Sequence, residues 1–321
     1  MPLYAGVEGG GTTFRVAVSR VGSPGDRITA ADIVDQAQFD TTTPDETLAK
    51  VHAWLLERHT GPQGPFVGLG IATFGPVDLH TSSKTYGYIT TTPKVQWRNA
   101  DVLGPLRAGM EEVPFEFDTD VNAPALDEYE NECADHADAA ISSCSYITVG
   151  TGIGVGLVVN GKCVHGLLHP EGGHVMVPRH PGDAPDFGTK EKVPFGGRGA
   201  ENLANSEAIF ERVKDRLGLA DRRDLGTVGD DDPVWDQAAH YLGALCAQLV
   251  LVVSPERIVI SGGVMKRTIL FQKTREKCQV RLAVEERSLV GWWGEGVMGG
   301  WVMGGRVIGW VGGWVGGWVG G

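Results

Sequence analysis

Short apolar runs separated by glycine and polar turns make up most of this chain. Leu3 to Val7 and Phe14 to Val18 read as strands flanking a glycine turn, and Phe66 to Ala72 as another strand before Phe74-Gly75-Pro76. Thr43-Pro44-Asp45-Glu46 carries helix-start signals: Thr43 as N-cap, Pro44 at the first helical position and Glu46 closing a capping box. Leu48, Val51 and Leu55 then repeat at helical spacing. Val113 to Phe117 predicts a strand and Asn122 to Cys133 the helix after it. Tyr146 to Val149 and Val155 to Val159 are strands around a glycine loop, and Asn160-Gly161 is a tight hairpin turn. A long helix is expected from Trp235 to Val253, then a strand from Arg257 to Ile260 feeding Gly262-Gly263 and a last helix. Strands alternating with helices predict an α/β fold.

Length and charge narrow the class. A chain of 321 residues suggests two domains or one large one. Its formal charge of -12 weighs against nucleic acid or a membrane surface as partner, because polyanions attract basic patches. The cysteines (Cys133, Cys144, Cys163, Cys246 and Cys278) form no CxxC pair, so neither a disulfide framework nor a zinc ribbon is indicated. Reduced thiols and the absence of a leader-like N-terminus make a cytoplasmic location the expectation. The end of the chain differs in kind. Residues 291–321 hold 14 of the 47 glycines and six of the nine tryptophans, so residues from 284 onward read as a low-complexity Gly/Trp/Val tail.

Three glycine-rich turns each follow a strand: Gly9-Gly10-Gly11-Thr12, Gly150-Thr151-Gly152-Ile153-Gly154 and Gly262-Gly263. Glycine lets backbone N–H groups approach a phosphate, and threonine adds a hydroxyl donor. Three such turns fit one nucleotide held between two lobes better than three unrelated turns. A Walker A sequence is absent, and no GxGxxG opens a helix after the first strand, which disfavours P-loop and dinucleotide-binding folds.

Phe117-Asp118-Thr119-Asp120-Val121-Asn122 stands at a strand end before a helix, where a carboxylate can accept the proton of an attacking alcohol. Asp120 as a plain helix N-cap is the alternative. His169-Pro170-Glu171-Gly172-Gly173-His174 lacks HExxH spacing, and its proline and glycines forbid the required helix. Glu171 and His174 therefore read as loop groups that hydrogen-bond sugar hydroxyls, or as structural polar residues.

Together these residues resemble the ROK family of sugar kinases, from about Leu3 to Cys278. Glu8-Gly9-Gly10-Gly11-Thr12 matches the family's acid–Gly-Gly-Thr start, and Gly75-Pro76-Val77-Asp78 its Gly-Pro loop. Tyr86-Gly87-Tyr88-Ile89-Thr90-Thr91-Thr92-Pro93-Lys94 with Trp97 is similar to the bacterial fructokinase branch. The resemblance implies an actin-like (hexokinase-type) fold of two lobes around a cleft, expected here as residues 1–120 and 121–283. It implies ATP with Mg²⁺, a small-molecule hexose substrate and frequently a homodimer. It assigns Asp120 as catalytic base. The nucleotide falls to Gly10, Gly11, Thr12, Thr151, Gly152, Gly154, Gly262 and Gly263, and the sugar to Gly75, Pro76, Asn122, Glu171 and His174. Mg²⁺ is expected near Glu8 or Asp120, through water.

Two departures qualify the resemblance. The family's zinc site joins the histidine of Glu-x-Gly-His to three downstream ligands, which here are Val193, Gly196 and Gly199. Only His174 remains, so the site is expected to be lost. The family's C-terminal helix is expected to continue beyond Cys278, but the chain passes into the Gly/Trp tail. A lesser departure is Thr13, where many relatives carry lysine. The reaction implied is phosphorylation of fructose to fructose 6-phosphate. A glucokinase, mannokinase or N-acetylhexosamine kinase is the alternative within the family, and an inactive sugar-binding relative the alternative outside catalysis. A repressor would need a helix-turn-helix before the first glycine turn, where only eight residues stand.

Overall fold

β1 (Leu3–Gly9) and β2 (Thr13–Arg20) pair antiparallel across the first glycine turn. The computed structural model describes residues 1–21, 27–136, 140–188 and 198–283. The described chain forms two compact units, the first containing residues 1–140 and 161–170, the second 141–160 and the described residues from 171 onward. The lobe boundary expected near residue 120 falls differently in this division, because the helix after that point groups with the first unit. The expected tail, 284–321, lies outside the described residues.

In the first unit β3 (Ile33–Asp40), β4 (Phe66–Thr73) and β5 (Phe115–Thr119) complete a five-stranded sheet of order β3-β2-β1-β4-β5. β1, β4 and β5 run parallel, so their carboxyl ends lie along one sheet edge. α1 (Pro44–Thr60) lays Leu48, Val51 and Leu55 into the core with Val7, Phe14 and Ile71. Thr43 caps it by accepting the Glu46 N–H, but the capping box is only half made. The Glu46 carboxylate turns instead to the Thr42 hydroxyl at 2.8 Å and the Lys50 ammonium at 2.7 Å. α2 (Leu103–Arg107) and α3 (Asn122–Asp135) follow, with the two-residue strand β8 (Lys162–Cys163) in the returning segment.

In the second unit β6 (Ser143–Val149) and β7 (Ile153–Val159) form another antiparallel hairpin, and β6 pairs parallel with β9 (Arg257–Ser261). α4 (Ala200–Ala204), α5 (Ser206–Leu217), α6 (Pro233–Val253) and α7 (Ile269–Leu282) supply its helices. By length and composition α6 would suit a membrane span. Its residues Tyr241, Leu242 and Leu245 are instead wholly buried, as in the central helix of a packed core.

Candidate active site

Parallel register sets the site of the first unit. Gly9 stands opposite Thr73, and Thr73 opposite Thr119, so the residues after them leave the sheet side by side. Two backbone bonds fix the row: Phe74 N–H to Gly9 O at 2.7 Å and Asp120 N–H to Thr73 O at 2.9 Å. The first glycine turn, the Gly75-Pro76 turn and Asp120 thus share one edge, where open parallel sheets bind ligands. At Gly9 a Cβ would come within 2.6 Å of the Phe14 ring and 2.9 Å of Thr73 Oγ1, so the turn is close-packed from below. The Gly10 N–H bonds Thr13 O at 2.9 Å, and the Thr41 hydroxyl donates to Gly10 O at 2.8 Å. The buried Thr73 hydroxyl has no hydrogen-bond partner among the described residues. Glu8 is engaged by Arg15 at 3.4 Å, and burial pushes its carboxyl up against that pull.

Asp118 braces the Asp120 turn from within the protein. It is buried and accepts the Thr119 N–H at 2.6 Å, the Asn122 amide at 3.0 Å and the His165 Nε2–H at 2.7 Å. Asn122 is itself wholly buried, so its amide holds Asp118 rather than facing solvent. The bond to Asp118 raises the His165 pKa despite partial burial. Cys163, with Sγ 3.6 Å from Asn122 O, has its thiol pushed up by burial and by Asp118.

His169 does a similar job at the Gly-Pro turn. Its buried ring accepts the Val77 N–H at Nε2, 3.1 Å away, and a Cβ on Gly75 would lie 2.8 Å from the same nitrogen. Burial lowers its pKa, consistent with that acceptor role. Neither histidine carries a local sequence motif for its partner, which lies 47 residues away for His165 and 92 for His169.

In the second unit the parallel ends of β6 and β9 repeat the arrangement. Thr148 stands opposite Ser261, so Gly150 and Gly262 leave neighbouring strands together. Gly262 has φ 100°, and a Cβ there would lie 2.4 Å from Val149 O, so glycine is required on both counts. A cavity of about 990 Å³ opens between these loops, lined among others by Gly150, Thr151, Gly263 and Lys266. Its wall includes Arg267, stacked 4.8 Å over the Trp235 ring and paired with Asp230. Gly152 sits in the turn, while Gly154 lies inside β7 opposite Thr148. Asn205 steadies the loop, its amide bonding Thr151 O at 2.9 Å while its Oδ1 caps α5.

Glu171 precedes, and His174 ends, a one-turn helix, Gly172–His174, packed on β7. A Cβ on Gly173 would overlap Ile153 O at 1.7 Å, which explains glycine there. His174 Nε2 lies 3.9 Å from Glu171 Oε2, and its Nδ1 3.9 Å from Glu201 Oε1. Burial, with Glu201 beside it, pushes the Glu171 carboxyl up to about 7. Glu201 was not anticipated: its Oε2 accepts the Ile153 N–H of the glycine loop at 2.9 Å. Sequence alone did not reveal it because it lies 48 residues from that loop.

The three positions where the resemblance puts the remaining zinc ligands carry Val193, Gly196 and Gly199. Val193 and Gly196 lie outside the described residues. A Cβ on Gly199 would fall 2.5 Å from His174 O, so a longer side chain has no room there without backbone movement. Among the described residues no three His, Cys, Asp or Glu side chains gather as metal ligands. The neighbouring loop is held by a buried ion pair, Arg212 binding Asp183 at 2.9 and 2.7 Å with both side chains at most 5% exposed. The Tyr241 hydroxyl donates to the same carboxylate.

The ROK family model matches residues 4–290. The chain is 37% identical to a fructokinase of Zymomonas mobilis subsp. mobilis, covering 82% of this chain and 80% of that protein. It is 35% identical to a fructokinase of Lactococcus lactis subsp. cremoris over the same shares of the two chains. Its fold resembles a ROK hexokinase from Thermus thermophilus, with a TM-score of 0.61, 24% identity and coverage of 91% and 90% of the two chains. Fold, site pattern and relatives agree on the α/β, actin-like ATPase architecture, and this chain belongs to the ROK family.

Proposed function

We propose that this chain is an ATP-dependent fructokinase that converts fructose to fructose 6-phosphate. The observation that carries the reading is the row of parallel strand ends placing the glycine turn, the Gly75-Pro76 turn and Asp120 along one edge. The fructokinase relatives at 33–38% identity over most of the chain support fructose as the sugar.

Asp120 takes the proton of the 6-hydroxyl as that oxygen attacks the γ-phosphorus. The bond from phosphorus to the β–γ bridging oxygen breaks, and its electron pair leaves with ADP. Glu171 and His174 orient sugar hydroxyls, and the Gly75-Pro76 turn, held by His169, presents backbone polar groups. Gly11 and Thr12 receive phosphate oxygens, while Gly10, its N–H bonded to Thr13 O, shapes the turn. Gly150, Thr151 and Gly263 line the second unit's cavity and are read as its nucleotide contacts. Mg²⁺, when bound with ATP, neutralises phosphate charge. It is expected through water near Glu8, which pairs with Arg15 at 3.4 Å, or near Asp120.

The enzyme is read as working without the family's zinc. Val193, Gly196 and Gly199 in place of ligands support this, and the Asp183–Arg212 ion pair anchors the neighbouring described loop. A coupled assay for ADP across fructose, glucose, mannose and N-acetylhexosamines tests the function. Fructose is expected to give the highest kcat/KM. A tenfold preference for another hexose would change the substrate, and turnover of none would remove the activity.

A further inference from the structure

The fructokinase-like stretch ending in Lys94 and Trp97 has a task beyond packing. Trp97 is 1% exposed, stacks on Phe14 at 5.5 Å and meets Phe74 edge-on at 5.3 Å. Phe14 lies directly after the first glycine turn, and Phe74 directly before Gly75-Pro76. The Trp97 indole also donates to Thr42 O at 2.8 Å. One indole therefore clamps residues 92–98 onto both turns.

Lys94 is set by that clamp. Its carbonyl accepts the Trp97 N–H at 2.8 Å, and its own N–H bonds the hydroxyl of buried Thr92 at 3.3 Å. Its side chain runs over the glycine turn, with Cε 3.2 Å from where a Cβ on Gly11 would stand. The turn itself, Gly10 to Thr13, carries no charge. Arg15, on the strand leaving it, is engaged by Glu8. Among the described residues no carboxylate pairs with the Lys94 ammonium, so a strongly hydrated cation stands over a loop rich in backbone donors.

We infer that Lys94 is a catalytic residue whose ammonium binds the transferring γ-phosphoryl group of ATP. The inference rests on the kinase reading above. The phosphoryl group is assigned as the γ one because the same sheet edge carries Asp120, which must lie near the accepting hydroxyl. Lys94 Nζ donates hydrogen bonds to the γ-oxygens as charge builds on the bridging oxygen. It forms no covalent bond and loses no proton. The phosphorus–oxygen bond still breaks toward ADP, and the hydroxyl proton still goes to Asp120.

Lys94→Met and Lys94→Arg, each compared with wild type, test this by kinetics and by direct titration with ATP and ADP. Lys94 is exposed, so both variants should melt with wild type. Lys94→Met is expected to lower kcat by at least about 100-fold, with KM for fructose changing less than about threefold. It should also weaken ATP by about tenfold or more while leaving ADP nearly unchanged. Lys94→Arg should restore part of both losses. A kcat within threefold of wild type, or equal weakening of ATP and ADP, would overturn the assignment. If wild type phosphorylates no hexose, the kinase reading fails by itself. The ATP-against-ADP difference then still decides whether Lys94 meets the terminal phosphate.

Discussion

Asp120 donates its backbone N–H to Thr73 O at 2.9 Å, and this bond places the proposed base one residue beyond the end of β5. The position follows from strand register. Thr119 is the last residue of β5 to pair with β4, and its hydroxyl accepts the Asn122 N–H at 2.9 Å to start α3. Asp120 sits in the turn between these fixed points. With strands about 4.8 Å apart, the glycine turn after β1 lies about 10 Å across the edge, a span suited to an extended phosphate chain and a hydroxyl.

Glu171 should make sugar binding depend on pH near neutrality. Burial and the nearby Glu201 raise its carboxyl to about 7, so the carboxylate that accepts hydroxyl hydrogen bonds grows in as pH rises. KM for fructose should fall by up to about tenfold between pH 6 and pH 8, following the ionised fraction. Glu171→Gln should flatten that trend. A wild-type KM independent of pH, or a trend surviving in the variant, would show that Glu171 does not set it.

Stability should move the other way. Asp127 and Glu130 on α3 are each pushed up to about 7, by burial first and then by acidic neighbours. A carboxyl with a raised folded pKa binds its proton more tightly folded than unfolded. Its contribution is therefore fully present below the unfolded value and is lost as pH rises through 7. Melting temperature should fall by several degrees from pH 5.5 to pH 8, and Asp127→Asn should reduce the slope. A melting temperature that climbs over this window would contradict the burial of these carboxyls.

The strands at Leu3, Phe66 and Arg257 and the helix at Pro44 were legible from apolar pattern and capping residues, while the long helix expected from Trp235 begins two residues earlier, at Pro233 behind the Asp232 cap. β3 was not, since Ile33–Asp40 is a half-exposed strand alternating too weakly to stand out. The glycine turns and Asp120 announced themselves through local composition. Their supports did not: His169 reaches Val77 across 92 residues, His165 reaches Asp118 across 47, and Glu201 reaches Ile153 across 48. Contacts between distant segments leave no spacing to read. Asn122 shows the converse, a motif residue whose buried amide is occupied by Asp118.

The loop next to His174 should stand without metal. Purified protein dialysed against a mild chelator is expected to hold far less than one zinc per chain by elemental analysis, with activity unchanged. Near-stoichiometric zinc would contradict this. The complementary variant, Asp183→Asn, leaves the Arg212 guanidinium buried and uncompensated, a change that costs about 3–5 kcal/mol. A chemical denaturation curve unmoved by that substitution would show that the ion pair does not anchor the loop.

Removal of the sugar hydroxyl proton falls to Asp120, and Asp120→Asn probes that role. Asparagine keeps the size of the side chain and the backbone bond to Thr73 but cannot accept that proton. With fructose and ATP saturating, kcat should drop by at least about 100-fold, while ATP binding and the melting temperature stay close to wild type. Turnover within a few fold of wild type would contradict the claim and take Asp120 out of the role.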